Sequence, residues 1–204
     1  VFKEPSVFSS ILQILAFLVL ATNIVLFLSN AIPLGVPSFS PKTLAAPPVG
    51  GTMRIEDFKL IPNAAKAIKL INQHNYFAVV ISNQPQVAKG FCEYEDVLEF
   101  HKKMETLLAT EGAKLDGIYF CPHHPDKGFP GENKKYKIVC KCRKPKTGMI
   151  RDAVRDLNID LKKSVMIGDS TRDAKLAENL DIRFAGVKTG EGVKDGIYKP
   201  KKKP

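Results

Sequence analysis

Tryptophan is absent from this 204-residue chain, aromatic residues reach only 8%, and there are just four cysteines. So few cysteines exclude a secreted scaffold in which disulfides replace a core. Fourteen glycines and fourteen prolines, spread without period, exclude collagen-like and low-complexity classes. An apolar content of 44% excludes disorder throughout. The length allows one domain of ordinary size with an appendage, and a domain of ~150 residues buries about 68–70% of its unfolded surface.

Charge is missing from one end of the chain. Residues 1–53 carry only Lys3, Glu4 and Lys42, a net +1, whereas the other 151 residues carry 29 basic and 20 acidic side chains, a net +9. That excess suits a phosphorylated or otherwise anionic small partner. Nucleic acid is disfavoured, because the basic residues are scattered. Only Lys199, Lys201, Lys202 and Lys203 form a run, and 199–204 reads as a solvated basic tail.

Three regions follow: 1–53, 54–198 and the tail. Within the first, residues 11–28 are apolar except for Gln13, Thr22 and Asn23. This length reaches the lower end for a membrane span. Three readings stay open: a span tethering the chain to a membrane, a leader ending near Ser29, Asn30 and Ala31, or a buried core segment. Residues 33–51, rich in Pro, Gly, Ser and Ala, read as a linker.

From residue 54 the apolar pattern alternates between helical and extended. Apolar positions 64, 65, 67, 68, 70 and 71 predict a helix over 63–72, and the run 76–81 predicts a strand buried on both faces. Further helices are expected at 94–112, 149–157 and 174–179, the first of them with Val97, Leu98, Met104, Leu107 and Leu108 on one side. Strands are expected at 117–120, 164–167 and 182–187. This order implies a doubly wound α/β parallel sheet with ligands at the carboxyl ends of its strands.

Three strand-end motifs carry chemistry. Ser82, Asn83 and Gln84 follow the first strand and can donate hydrogen bonds to phosphate oxygens. Cys121 and His123, then Cys140 and Cys142, supply the four soft ligands of a closed tetrahedral zinc site. Such an ion would clip together the stretch 122–139, which is too polar to order itself by burial. His124 is adjacent, and Cys92 reads as a small buried or half-buried residue. The third motif runs from Ser164 through Gly168 and Asp169 to Asp173, placing two carboxylates where Mg²⁺ could be held. Arg143 and Lys144 follow the zinc pair, as cations fixed beside a phosphate site.

Taken in order, S-N-Q, C-P-H, C-K-C-R-K-P-x-x-G-M and M-I-G-D-S-x-x-D resemble the haloacid dehalogenase (HAD) superfamily. Its zinc-carrying branch fits, namely the heptose 1,7-bisphosphate 7-phosphatases and the related histidinol-phosphatases. The stretch from Ala185 to Lys194 is similar to the heptose branch. The resemblance implies a HAD-like fold with a zinc-clipped loop and a cytoplasmic, monomeric hydrolase of carbohydrate metabolism, cleaving a phosphorylated sugar with Mg²⁺. It implies that Ser82, Arg143 and Lys144 serve catalysis, and that Ser82, Asn83, Gln84, Arg143 and Lys144 bind substrate. It further implies that Asp169 ligates Mg²⁺, supported by Asp173, and that Cys121, His123, Cys140 and Cys142 ligate Zn²⁺.

One departure stands out. The family opens with an apolar strand followed by D-x-D-G, whose carboxylates act as nucleophile and as general acid/base. No D-x-D occurs in these 204 residues. The run from Ile24 to Leu28 could fill the vacant strand slot, offering Ser29 and Ala31 in place of the carboxylates. On that reading residues 1–53 are out of frame, and the chain is a non-catalytic remnant that binds phosphate or serves as an interaction domain.

Overall fold

The computed structural model describes residues 26–30, 35, 36, 55, 58, 60, 63–187 and 192–201. Strands β1 (Leu26–Asn30), β2 (Gly35–Val36), β3 (Val79–Asn83), β4 (Gly117–Cys121), β5 (Val165–Gly168) and β6 (Arg183–Gly186) make one sheet. Its order is β4-β3-β1-β5-β6, with β2 paired to β1 off that path. The helices are α1 (Ala64–Gln73), α2 (Pro85–Ala88), α3 (Tyr94–Thr110), α4 (Gly148–Leu157) and α5 (Thr171–Asn179), with 3₁₀ turns at Lys134–Tyr136 and Leu161–Lys163.

Burial follows the order of the strands. Every residue of β3 and β5 is buried, whereas the outer strands β4 and β6 are mostly half-exposed. This explains the unbroken apolar runs of the inner pair. Helix α1 lays Ala64, Ala65, Ala67, Ile68 and Ile71 on the core, at the spacing expected of one helical face. On α3 the buried face is Val97, His101, Met104 and Leu108, while Leu98 is 38% exposed. The expected apolar side is thus rotated, and a histidine enters it.

Element boundaries shift where local hydrogen bonds extend a ladder. Strand β3 starts at Val79 and continues through Ser82 and Asn83, which pair with Phe120 and Cys121. Gln84 N then donates to Cys121 O at 2.7 Å, carrying the ladder past the strand. Ser82 and Asn83 are therefore strand residues held rigidly, rather than part of a turn.

The centre of the sheet differs from its flanks. Strands β3 and β4 are parallel, as are β5 and β6. Between the pairs runs β1, antiparallel to both neighbours: Leu26 faces Val80 on one side and Ile167 on the other, and Leu28 faces Val165. The expected strand from Ile24 to Leu28 does fill the slot in part, but in the opposite direction. Ser29 pairs with Val36 of β2, at the sheet edge remote from Asp169, so it cannot stand where a carboxylate is required. An apolar run fits a buried lane in either direction, and only its ends could specify one. Ile24, Val25 and Ala31, most of the 11–28 stretch and all of the linker except Gly35 and Val36 lie outside the described residues. No helix among the described residues is long and apolar enough to cross a membrane.

Candidate active site and metal centre

Cys121 closes β4, and Cys140 and Cys142 form a knuckle just before α4. The ligand atoms of Cys121, His123, Cys140 and Cys142 all lie within 4.8 Å of one another. Cys142 Sγ is 3.1 Å from Cys121 Sγ and 3.2 Å from Cys140 Sγ, and His123 Nδ1 is 3.3 Å from Cys142 Sγ. Sulfurs around one ion at ~2.3 Å would sit only slightly further apart, so this donor set fits a small four-coordinate metal. Contact with Cys121, and then with Cys140 and His123, pulls the Cys142 thiol down to about 5, while the same contact and burial push Cys121 up. Crowded thiols of which one is readily ionised are a metal site's chemistry. Cys92 stands apart, half-buried and pushed up to about 11 by burial and then by Asp96 and Glu93.

The loop between the two ligand pairs has packing of its own, contrary to the expectation of a stretch ordered by metal alone. Phe129 lies under Lys89 Nζ at 4.4 Å and Lys137 Nζ at 4.9 Å, and meets Phe91 and His124 edge-on. Tyr136 stacks on Tyr94 with centroids 6.0 Å apart, and Asn133 N donates to Ala88 O at 3.1 Å. Two aromatic anchors and their cations do what aliphatic burial could not. Gly90 is required beneath this loop: its φ is +74°, and a Cβ there would lie 1.9 Å from Gly131 O.

The metal knuckle runs directly into the cationic pair. Arg143 N donates to Cys140 Sγ at 3.3 Å, and Arg143 Nη1 donates to His123 O at 3.1 Å. Lys144 N donates to Asn83 Oδ1 at 2.9 Å, and Asn83 Nδ2 returns a bond to Lys144 O at 3.3 Å. The Lys144 ammonium is buried; it donates to Ile81 O at 3.1 Å and pairs with Asp173 Oδ1 at 2.9 Å. Burial lowers its pKa, and the Asp173 carboxylate opposes that shift. The ammonium thus bridges the end of β3 and the first turn of α5, above the lane that β1 occupies. Removing one partner from such a buried pair typically costs about 3–5 kcal/mol.

Ser82 is fully buried and receives a hydrogen bond from Gln84 Nε2 at 2.8 Å. Asp169 follows β5 directly and is buried; Asp173 completes a capping box with Ser170. Gly168 admits that arrangement, since a Cβ there would lie 2.6 Å from Asp173 Oδ2. Ser82, Asn83, Gln84, Arg143, Lys144, Asp169 and Asp173 therefore gather at one sheet edge, where a buried ammonium, a half-buried guanidinium, hydroxyl and amide donors and hard carboxylate oxygens can hold a phosphate and a divalent cation.

Sequence reasoning missed Asp195. Its carboxylate accepts from Ser170 Oγ and Thr171 N, both at 2.8 Å, and caps α5 across 24 residues of chain. Val193 N donates to Asp169 O, and Tyr198 N to Thr171 Oγ1. The signal available was slight: an acid between two glycines after the last strand.

A family model described as HAD-hydrolase-like matches residues 141–204. The chain is 40% identical over 145 residues to a D-glycero-beta-D-manno-heptose-1,7-bisphosphate 7-phosphatase of Photorhabdus laumondii, covering 71% of this chain and 75% of that one. It is 36% identical over 150 residues to the Haemophilus influenzae protein of the same name, covering 70% and 78%. Among solved structures, it resembles the D,D-heptose 1,7-bisphosphate phosphatase of B. bronchiseptica, complexed with magnesium and phosphate. That match has a TM-score of 0.61 and 30% identity, over 74% of this chain and 80% of that one.

Proposed function

The chain belongs to the HAD-like heptose 1,7-bisphosphate 7-phosphatases, and from that membership we propose that its site receives D-glycero-beta-D-manno-heptose 1,7-bisphosphate by the 7-phosphate, as a monomer in the cytoplasm. The observation that carries this reading is the buried Lys144 ammonium, held between Ile81 O and Asp173 at the edge that also carries Ser82 and Asp169. A cation desolvated to this degree interacts strongly with a dianion.

Each residue has a part. Ser82, already accepting from Gln84 Nε2, keeps its own proton for a phosphate oxygen. Lys144 neutralises the phosphoryl group, and Arg143, fixed by Cys140 and His123, adds a guanidinium beside it. Asp169 offers the hard oxygen ligand that Mg²⁺ takes beside phosphate and water, and bound Mg²⁺ would polarise the phosphoryl oxygens. Cys121, His123, Cys140 and Cys142 would hold a structural Zn²⁺, with no coordination position left for reacting water.

The family's nucleophile has no counterpart on these residues. No Asp or Glu occurs from residue 5 to residue 55, and β1 runs antiparallel between β3 and β5. These observations favour a second reading: the 204 residues bind the sugar phosphate and turn it over slowly, since holding a ground state does not lower a barrier. The test is calorimetric titration of zinc-loaded chain with Mg²⁺ and heptose 1,7-bisphosphate, beside a phosphate-release assay. Saturable binding is expected, lost in Lys144→Met, with release well below ~1 per second. Absence of binding would reject the site. Release at ordinary enzymatic rates would mean that another residue attacks phosphorus.

A further inference from the structure

The segment that carries Cys140 and Cys142 is far more basic than the rest of the chain. Residues 127–146 hold eight basic side chains and one acid, Glu132. That acid is already engaged: it accepts from Gly128 N at 3.2 Å and pairs with Lys137 Nζ at 3.3 Å. Lys127, Lys134, Lys135 and Lys141 are exposed, and among the described residues none of the four forms an ion pair.

Exposed apolar side chains lie on the same segment. Ile138 is 47% exposed and Val139 is 75% exposed, the highest value among the large hydrophobics described. Phe91, 52% exposed, is joined to them through Phe129, whose ring it meets edge-on with centroids 6.4 Å apart; Lys137 Nζ, next to Ile138 in sequence, lies 4.9 Å from that ring. A single exposed hydrophobe is ordinary, but three joined on one basic surface mark a contact. Glu93 and Glu95, exposed at the start of α3, limit the basic surface on the Phe91 side.

The chemistry of the patch discriminates between anionic surfaces. Single-stranded nucleic acid needs free aromatic faces on which bases can stack. Here Tyr136 stacks on Tyr94, and Phe129 lies under two ammonium groups, so both rings are used within the protein. A nucleic-acid duplex offers phosphates but nothing to cover a protruding aliphatic pair. A bilayer with anionic headgroups offers both, phosphates for the lysines and an acyl boundary for the aliphatic side chains.

We propose that the surface around Ile138 and Val139 docks on an anionic lipid bilayer, with these two side chains entering the headgroup region and Lys134, Lys135 and Lys141 lying against lipid phosphates. The inference is independent of the sugar-phosphate reading, because it uses none of the residues assigned to phosphate or Mg²⁺.

The test is flotation of the zinc-loaded full chain with vesicles of phosphatidylcholine alone or with about one third phosphatidylglycerol. Wild type should float with the anionic vesicles only, and less as salt rises. Lys134→Gln combined with Lys135→Gln should lower partitioning about tenfold or more, since each basic residue at such a surface contributes about fivefold. Val139→Asn should lower it by about fivefold while leaving the salt dependence unchanged, as expected for lost apolar burial. Because Val139 adjoins Cys140, zinc content is measured for each variant, and Ile138→Ser repeats the test one residue further from the ligand. A wild type that does not float would overturn the proposal, as would lysine and aliphatic variants that float as well as wild type. Loss in the lysine variant alone, with equally tight binding of wild type to soluble polyglutamate, would also overturn it and make an acidic protein the partner.

Discussion

The lanes of the sheet on either side of β1 differ from β1 itself. At the carboxyl ends of β3, β4 and β5 stand Ser82, Cys121 and Asp169, tied together through Lys144 and the cysteine knuckle. The strand between them runs the other way and belongs to a stretch without acids. The flanks carry the residues proposed to bind phosphate, and the centre offers no carboxylate from residue 5 to residue 55. In the sequence, both kinds of strand were apolar runs of similar length. Apolar strands are thus interchangeable as backbone lanes of the sheet and far from interchangeable as chemistry.

The most severe way to break this comparison is to furnish the centre. Replacing residues 1–53 with a parallel strand ending in F-L-D-x-D-G should raise phosphate release from heptose 1,7-bisphosphate by at least about 10²–10⁴, the range lost when one general acid is deleted. The gain should vanish in the same graft carrying Lys144→Met. A graft that folds, binds zinc and stays inactive would show that the flanks are incomplete as well.

Next in size is an attack on the flank. Stripping metal, or Cys142→Ser, would remove the Zn²⁺ proposed to join β4 to the Arg143–Lys144 turn. If free zinc exceeds its dissociation constant 1,000-fold, the ion contributes about 4 kcal/mol. The melting temperature should then fall by roughly 8–16 °C for a chain of this size. The Phe129 and Tyr136 packing predicts that the loop keeps part of its order without metal, visible as slower hydrogen exchange at Asn133 N than in Phe129→Ala. Equal exchange in both would return the loop to dependence on metal alone.

How much of this was legible depends on where each signal lies in the chain. Ser82, Asp169 and the cysteine pairs each adjoin an apolar run, so strand ends and chemistry could be read together. The Lys144–Asp173 pair and the Asp195 cap join residues 29 and 24 or 25 apart, and no local period encodes such contacts. The direction of β1 was hidden because an apolar run without end signals can pair in a sheet either way. Phe129 is a single aromatic in a polar stretch, and nothing local shows that lysines at 89 and 137 organise around it.

A third prediction separates core stability from the site. His101 is buried beside Phe120, with Leu98, Lys102, Glu105 and Ile118 around a 290 Å³ hollow, and burial pushes its pKa down to about 4. In the unfolded chain it titrates near ~6.5, so the unfolded state binds the additional proton between those values. Stability is therefore lost as pH falls from about 6.5 to about 4, by up to roughly 3 kcal/mol. Urea denaturation at pH 7 and pH 5 should show wild type losing more than His101→Leu. Parallel losses would assign acid sensitivity to the zinc ligands instead, back on the flank.

The smallest effect concerns how finely the β5 flank is adjusted. Asp195 accepts two hydrogen bonds at the start of α5, and it carries a negative charge where the helix dipole favours one. Asp195→Ala removes both contributions and should cost about 1–2 kcal/mol, the upper part of the range for a lost helix cap. Asp195→Asn keeps an oxygen for Thr171 N but surrenders the charge, so it should cost less, and its deficit should shrink as salt screens the dipole. Because Val193 and Tyr198 hold the same corner independently, zinc content should be unchanged in both variants. An Asn variant as damaged as the Ala variant, with no salt dependence, would make the Ser170 hydroxyl contact the controlling one. The corner beside Asp169 would then be held by geometry, with the dipole contributing little.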